Sequence, residues 1–376
     1  MKVGIVTVHD SSNLGSFLQA LGMQELVIQN GDEPVFLRTR SRFTTLCLYL
    51  GYNNAPSVRS VKSFLRFCAG SIKSLEHAKE KYKKYVTYKK DWSHFGEIVS
   101  VRRSQHKQLD VLLLGSDEIW NTRRPAFQNP FLYGIGILAK RKYGYAVSVG
   151  NMDLNGFDQY PDLIEGLKKL DGILVRDKYT AEVLKGYGVQ TVARICDPTL
   201  QVDIRKYMKK MEDVKIPKCD YIAVYSYIID DETRELIRKI ANKYHLKTVA
   251  VSLPQVWCDE YLNCSPLEFG AILSGARYVY TSTFHGTIFS ALYHTQFVVK
   301  PSSQKVIDVL EILGLSDLSL PEECTEAEFE KILFQKHDYQ MVEERILQLR
   351  KESQNFYQKY IQQKEDYDGS SYEDMR

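Results

Sequence analysis

Three absences in this 376-residue sequence each close a class of function. No run of about 18 apolar residues occurs, so no helical membrane span is expected. The seven cysteines are odd in number and scattered, with no C-x-x-C pair and no histidine at metal-ligand spacing, which supports neither a disulfide framework nor a zinc site. No metal and no cofactor is expected. The N-terminal MKVGIVTVHD has one lysine and a short apolar run broken by Gly and Thr, too brief for a signal-peptide core. It reads as a first strand, and the cytoplasm is the expected location.

What is present is the composition of a globular protein with room for two cores, 44% hydrophobic and 26% charged. The net charge of +3 says little, but its distribution is uneven. Between residues 59 and 107 thirteen Lys and Arg face four acids, and beyond Pro321 the balance turns acidic. The basic segment is either a solvated helical insertion or a surface for an anionic partner, the inner membrane leaflet among them. Nucleic acid is not expected, because the run lacks any reader motif and the rest of the chain is near neutral.

Strand-like and helix-like stretches alternate along the chain, which predicts parallel sheets with helices on both faces. Residues 1–200 read as an N-terminal Rossmann-like domain carrying a mostly helical insertion at 43–107. Residues 201–219 read as a linker, and 220–320 as a second Rossmann-like domain. Residues 321–376 read as a long terminal helix packing back on the first domain, with a frayed end at 366–376. The run at 134–139 fits G-x-G-x-x-A on paper, yet it neither follows a strand nor opens a helix and is rejected as a dinucleotide motif.

The stretch RYVYTSTFHGTIFSAL, from Arg277 to Leu292, organises the candidate site. Its first half reads as a buried strand and its second as a packed helix, so His285 lies at a strand-to-helix turn on the sheet's carboxyl edge, where helix N–H groups favour an anion. His285 is either a core histidine capping its own helix or a titratable group at that anion site. Ser282, Thr283 and Gly286 are its small neighbours and are expected to line the same place. Asn13 or Ser12 is expected to cap the first helix and aim donors at the cleft. Ser116 and Asp117 follow the apolar run LDVLLL and are expected to project toward His285 if the two sheets oppose their edges. Arg176 ends a buried strand, where a guanidinium is costly unless paired. It pairs with Asp177 or another acid, or it holds a ligand carboxylate or phosphate.

Two α/β domains with a cleft between them is the layout of GT-B glycosyltransferases. Within that frame the chain resembles the polysaccharide pyruvyl transferase family. The resemblance is carried by SSNLGSFLQALGMQEL, GSDEIWN at 115–121, the YAVSVGN block closing at Asn151, LVRDKYTAEVLKGYGV at 174–189, CDPTL at 196–200 and STFHGTIFSALY at 282–293. It implies a GT-B-like fold and transfer of a pyruvyl group, as a ketal, from phosphoenolpyruvate to a sugar of a polysaccharide or its lipid-linked precursor. By the same resemblance His285 handles the protons and Arg176 holds the donor; because the donor carries both a carboxylate and a phosphate, Lys305, twenty residues after His285, is the second candidate cation. Many relatives carry an arginine where this chain has Thr283, which removes one anion contact and leaves Lys305 or Lys300 to replace it. The competing reading is a GT-B glycosyltransferase using a nucleotide sugar. Its carboxylate signal, Glu260 and Glu268 in an E-x7-E relation, is a spacing that chance also supplies.

Overall fold

The computed structural model describes residues 1–49, 75–102 and 108–363. Its strands form two separate sheets in which every pairing is parallel. The first sheet contains β1 (Lys2–Val6), β2 (Glu33–Arg38), β3 (Glu97–Ser100), β4 (Val111–Leu114), β5 (Arg141–Val147), β6 (Gly172–Val175) and β7 (Ala193–Arg194), in the order β3-β2-β1-β4-β5-β6-β7. The second contains β8 (Tyr221–Tyr225), β9 (Lys247–Val251), β10 (Glu260–Leu262), β11 (Tyr278–Thr281) and β12 (Phe297–Val299), in the order β10-β9-β8-β11-β12. The central strands VLLL and YIAVY are buried at every residue, as strands covered by helices on both faces must be. Two Rossmann-like sheets facing a cleft are the GT-B-like fold expected from the sequence.

Each strand order reverses at one place, between β1 and β4 in the first sheet and between β8 and β11 in the second. Connections leave those pairs in opposite directions, which opens a crevice beyond the carboxyl ends of the strands. The loops at the carboxyl ends of the strands therefore carry the residues that can meet across the cleft.

The helix Leu14–Gln29 follows β1 and has fourteen of its sixteen residues buried. It packs on the first sheet and on the segment Pro198–Gln201, and its apolar side chains join a core that continues into the second domain through Phe269, Ile288 and Phe289. Burial on all sides removes the need for one apolar stripe, which is why Phe17, Leu18 and Leu21 only loosely keep helical spacing. The helix Tyr339–Phe356 buries Val342 and Ile346 in that same core. Just beyond it, Tyr357 OH donates to Asp32 Oδ2 at 3.0 Å and Gln362 Nε2 donates to Asn30 O at 2.8 Å, so the segment 357–362 is fastened to the first domain.

Several sequence expectations are corrected. Within the expected, mostly helical insertion, the helices Arg42–Tyr49 and Leu75–Asp91 are followed by a strand that was not expected, β3, a four-residue edge strand too short and too exposed to leave a pattern. The remainder of the expected insertion, at 50–74 and 103–107, lies outside the described residues, as does the tail from 364. Strand β10 was likewise not expected. The connection at 201–219 is not a free linker. Lys206 and Tyr207 each bond Glu25 at 2.6 Å, and Arg205 bonds both Asp203 and Glu343. The run at 134–139 is a turn, with Gly134 and Gly136 at φ of 74° and 76°. Among the described residues, no helix is long and apolar enough to cross a membrane.

Candidate active site

His285 is the second residue of the helix Phe284–Leu292, but it does not cap that helix. Thr283 does, accepting the Gly286 N–H on Oγ1 at 3.0 Å. Freed from capping, the imidazole reaches across to the first domain. A Cβ built on Gly15 would lie 2.1 Å from His285 Nδ1, so the absence of a side chain at Gly15 is what lets the ring seat against the start of the helix Leu14–Gln29. The other ring nitrogen, Nε2, stands 3.8 Å from Asp197 Oδ1, an ion-pair separation too long for a hydrogen bond.

Asp197 is the hub of the site. Its side chain is fully buried, and Oδ1 accepts from Thr199 N at 3.0 Å and Thr199 Oγ1 at 2.8 Å, capping the turn Pro198–Gln201. Its Oδ2 accepts from Arg176 Nη1 at 2.9 Å. Arg176 therefore pairs with Asp197 and not with Asp177, whose carboxylate caps the next helix through Thr180 N at 2.7 Å. Burial alone would raise the Asp197 carboxyl, but His285 and Arg176 outweigh it and hold the group well below the carboxylate range. Burial likewise works against the Arg176 charge, and Asp197, Asp117, Asp177 and Glu118 together overcome it.

The pairing is incomplete. Arg176 Nε and Nη2, and His285 Nε2, are buried polar atoms with no hydrogen-bond partner. Nε and Nη2 are one edge of the guanidinium fork, the edge that receives a carboxylate through two parallel bonds. A buried donor pair left open is costly in a finished core and expected where a ligand completes it.

The remaining predicted residues divide by role. Asp117, at φ 80°, accepts from Ser16 Oγ at 2.5 Å, and Asn13 Nδ2 donates to Tyr227 OH at 3.2 Å across the cleft. Asn13 Oδ1 also accepts from Gly15 N at 2.9 Å and Ser16 N at 3.3 Å, so those helix donors are satisfied and not open to a ligand. Ser116 is a correction: it is fully buried and its Oγ donates to Gln19 Oε1 at 2.5 Å, facing the core behind the cleft. Ser282 bonds Ser226 Oγ at 2.6 Å, and a Cβ on Gly286 would meet Thr281 Oγ1 at 2.1 Å. These two, with Thr283, shape the turn behind His285 and offer a ligand no charge. Lys305 ion-pairs with Glu118 of the first domain. Lys300 is committed to Asp230 at 3.0 Å, Thr233 and the Glu322 carbonyl, and does not replace the missing arginine.

Between the domains lies a cavity of about 800 Å³ walled by Glu118, Arg124 and Asp177 on one side and Ser302, Ser303 and Lys305 on the other. It adjoins a smaller space among Arg176, Asp197, Phe284 and Lys305. Both cations flank the Phe284 ring, at 5.3 Å for Arg176 and 5.8 Å for Lys305. Among the described residues, no group of His, Cys, Asp and Glu is arranged to hold a metal ion.

A family model described as polysaccharide pyruvyl transferase matches residues 13–303. The chain belongs to the polysaccharide pyruvyl transferase family. It is thus an enzyme of a transferase family, and the matched span takes in Arg176, Asp197 and His285 while stopping two residues short of Lys305. No curated protein matches the chain. Among solved structures it is similar to the S. aureus MnaA-UDP co-structure, at 10% identity over 98% of each chain with a TM-score of 0.49. It is also similar to a Streptomyces sp. SF2575 glycosyltransferase, SsfS6, at 12% identity over 94% of this chain and 96% of that one, with a TM-score of 0.39.

Sequence reasoning missed Asp197, Glu118, Phe284 and Tyr227 as site residues. The first had a signal, an Asp-Pro-Thr cap following a strand, but nothing local says that the cap also carries a distant guanidinium. Glu260 and Glu268 are committed to Lys247 and Lys209 at 2.6 and 2.7 Å, which removes them as a ligand-binding pair.

Proposed function

We propose that the protein transfers a pyruvyl group from phosphoenolpyruvate to two hydroxyls of a sugar, as a ketal, in the making of a cell-surface polysaccharide or its lipid-linked precursor. The observation that carries this reading is the meeting of Arg176 and His285 around Asp197, with one open guanidinium edge beside an open imidazole nitrogen. Phosphoenolpyruvate brings a carboxylate and a phosphate. Arg176 Nε and Nη2 take the carboxylate, and Lys305 meets the phosphate. His285 gives a proton to the methylene carbon, leaving a cationic C2 that the first sugar hydroxyl attacks. The proton from that hydroxyl restores the imidazolium. The second hydroxyl then displaces phosphate from C2 and closes the ring, its proton passing to the leaving phosphate, which departs as inorganic hydrogen phosphate. Asp197 stabilises the charged imidazole and holds Arg176 in register.

The acceptor is proposed to be presented at the cytoplasmic membrane face. The helix Leu75–Asp91 turns Tyr82, Lys83, Val86, Lys89 and Lys90 outward, a basic face with apolar side chains suited to an anionic leaflet. The test is phosphate release on incubation with phosphoenolpyruvate and a panel of lipid-linked sugars. Turnover of a nucleotide sugar with no response to phosphoenolpyruvate would overturn the proposal.

A further inference from the structure

Glu118 sits where a ligand anion would be expected. It follows Asp117 in the loop after β4, its side chain is 13% exposed, and it reaches across the cleft to ion-pair with Lys305 of the second domain. Arg124 Nη2 lies 3.5 Å from its other oxygen. The carboxyl is held down at about 2: burial opposes this, and Lys305, Arg176 and Arg124 overcome it. Three cations thus bear on one carboxylate: Lys305 from the second domain, Arg124 from the same loop and Arg176 from the end of β6.

The far wall has the features of an anion site. Lys305 is in the first turn of the helix Gln304–Leu313, whose N-cap Ser303 makes no side-chain capping bond and leaves its Oγ buried without a partner. The helix Pro161–Lys168 also lacks a side-chain capping bond, so a bare start is not peculiar to Gln304–Leu313. A bare helix start alone would prove nothing. Here it adjoins Arg176, nine-tenths buried with two open N–H groups, which lines the same small space as Lys305.

We propose that Glu118 is the resident counter-ion of a phosphate-class anion site built on Lys305, Arg124 and the start of the helix Gln304–Leu313, and that the donor's phosphate binds by displacing the Glu118 carboxylate. This rests on the phosphoenolpyruvate reading for the identity of the donor, but not for the existence of the site. Displacement releases the Glu118–Lys305 ion pair that ties the loop after β4 to the helix Gln304–Leu313, so donor entry and the loosening of that contact are one event. The displaced Glu118 carboxylate keeps its charge and turns toward solvent, while the incoming phosphate takes over its pairing with Lys305 and Arg124.

A simple interdomain latch makes a different prediction. Glu118→Gln and Lys305→Met both break the pair, so a latch moves phosphate affinity in the same direction in both variants. A resident counter-ion gives opposite signs. Titration calorimetry of inorganic phosphate into each folded variant is expected to show binding about tenfold tighter in Glu118→Gln and about tenfold weaker in Lys305→Met, the scale of one charged hydrogen bond. Glu118→Asp, one methylene shorter, is expected to tighten binding in the same sense and serves if the Gln variant does not fold. Shifts of the same sign, or no phosphate binding to wild type and Glu118→Gln alike, overturn the proposal. Phosphoenolpyruvate following the opposite-sign pattern supports the assignment to the donor. A nucleoside diphosphate following it while phosphoenolpyruvate does not overturns that assignment. Loss of the ketal-transfer reading with the phosphate pattern intact would leave the site standing, so the two failures are distinguishable.

Discussion

His285 Nε2 stands 3.8 Å from Asp197 Oδ1, and the two residues come from different domains. The same carboxylate anchors Arg176 at 2.9 Å, so one buried acid sets the spacing between the residue proposed to move protons and the residue proposed to hold the donor. The packing of the two domains against each other and the assembly of the site are therefore linked.

Replacing His285 by Ala is expected to lower phosphate release from phosphoenolpyruvate by about 10²–10⁴-fold, the range for a positioned acid–base group. The imidazole caps nothing and Nε2 makes no hydrogen bond, so the thermal midpoint should hold within a few degrees. Near-wild-type turnover would remove His285 from the reaction.

Asp197→Asn keeps an oxygen for Thr199 but takes from the buried Arg176 guanidinium the one carboxylate it bonds directly among the described residues. Breaking a buried pair in this way costs about 3–5 kcal/mol. Adding Arg176→Met should restore part of the loss, because the stranded charge is gone. Denaturant unfolding of both variants checks this. A double variant no more stable than the single one would show that the pair does not act as a unit.

Gly15→Ala tests the seat of the imidazole. Alanine favours a helix over glycine by about 1 kcal/mol, so helix weakening cannot explain a defect. The added Cβ would collide with His285 Nδ1, and turnover is expected to fall at least about tenfold as the ring is pushed from its position, consistent with the sensitivity of catalysis to small misplacements. Unchanged kcat would mean that the ring has room to shift without consequence.

The Glu118 carboxyl is depressed from 4.5 to about 2. A depressed carboxyl adds stability that is present above its ordinary range and is lost as pH falls through the folded value, here between roughly 4.5 and 2. At about 1.4 kcal/mol per unit this amounts to about 3 kcal/mol. Denaturant midpoints over that window should fall more steeply for the wild type than for Glu118→Gln. Parallel curves would show that the ion pair contributes nothing to the pH dependence.

Much of the frame was legible because it is written locally. Uninterrupted apolar runs such as LDVLLL and alternating stretches such as RYVYT report burial on a sheet, and the polar turns after them mark where strands end. From those, two parallel-sheet domains and the cleft-edge positions of Asn13, Asp117, Arg176 and His285 follow. The short edge strands β3 and β10 escaped notice because half-exposed segments of three or four residues carry almost no periodic signal.

What the sequence determined by itself is which residues stand at the carboxyl ends of the strands, because strand periodicity and turn chemistry act over a few neighbouring residues. Only the tertiary structure decided which charge meets which: Arg176 with Asp197 and not Asp177, Lys305 with Glu118, and His285 over Gly15. Those contacts depend on the order of strands in each sheet and on how the two domains face one another. Coulomb forces act through space, and distance through space is not readable from spacing along the chain.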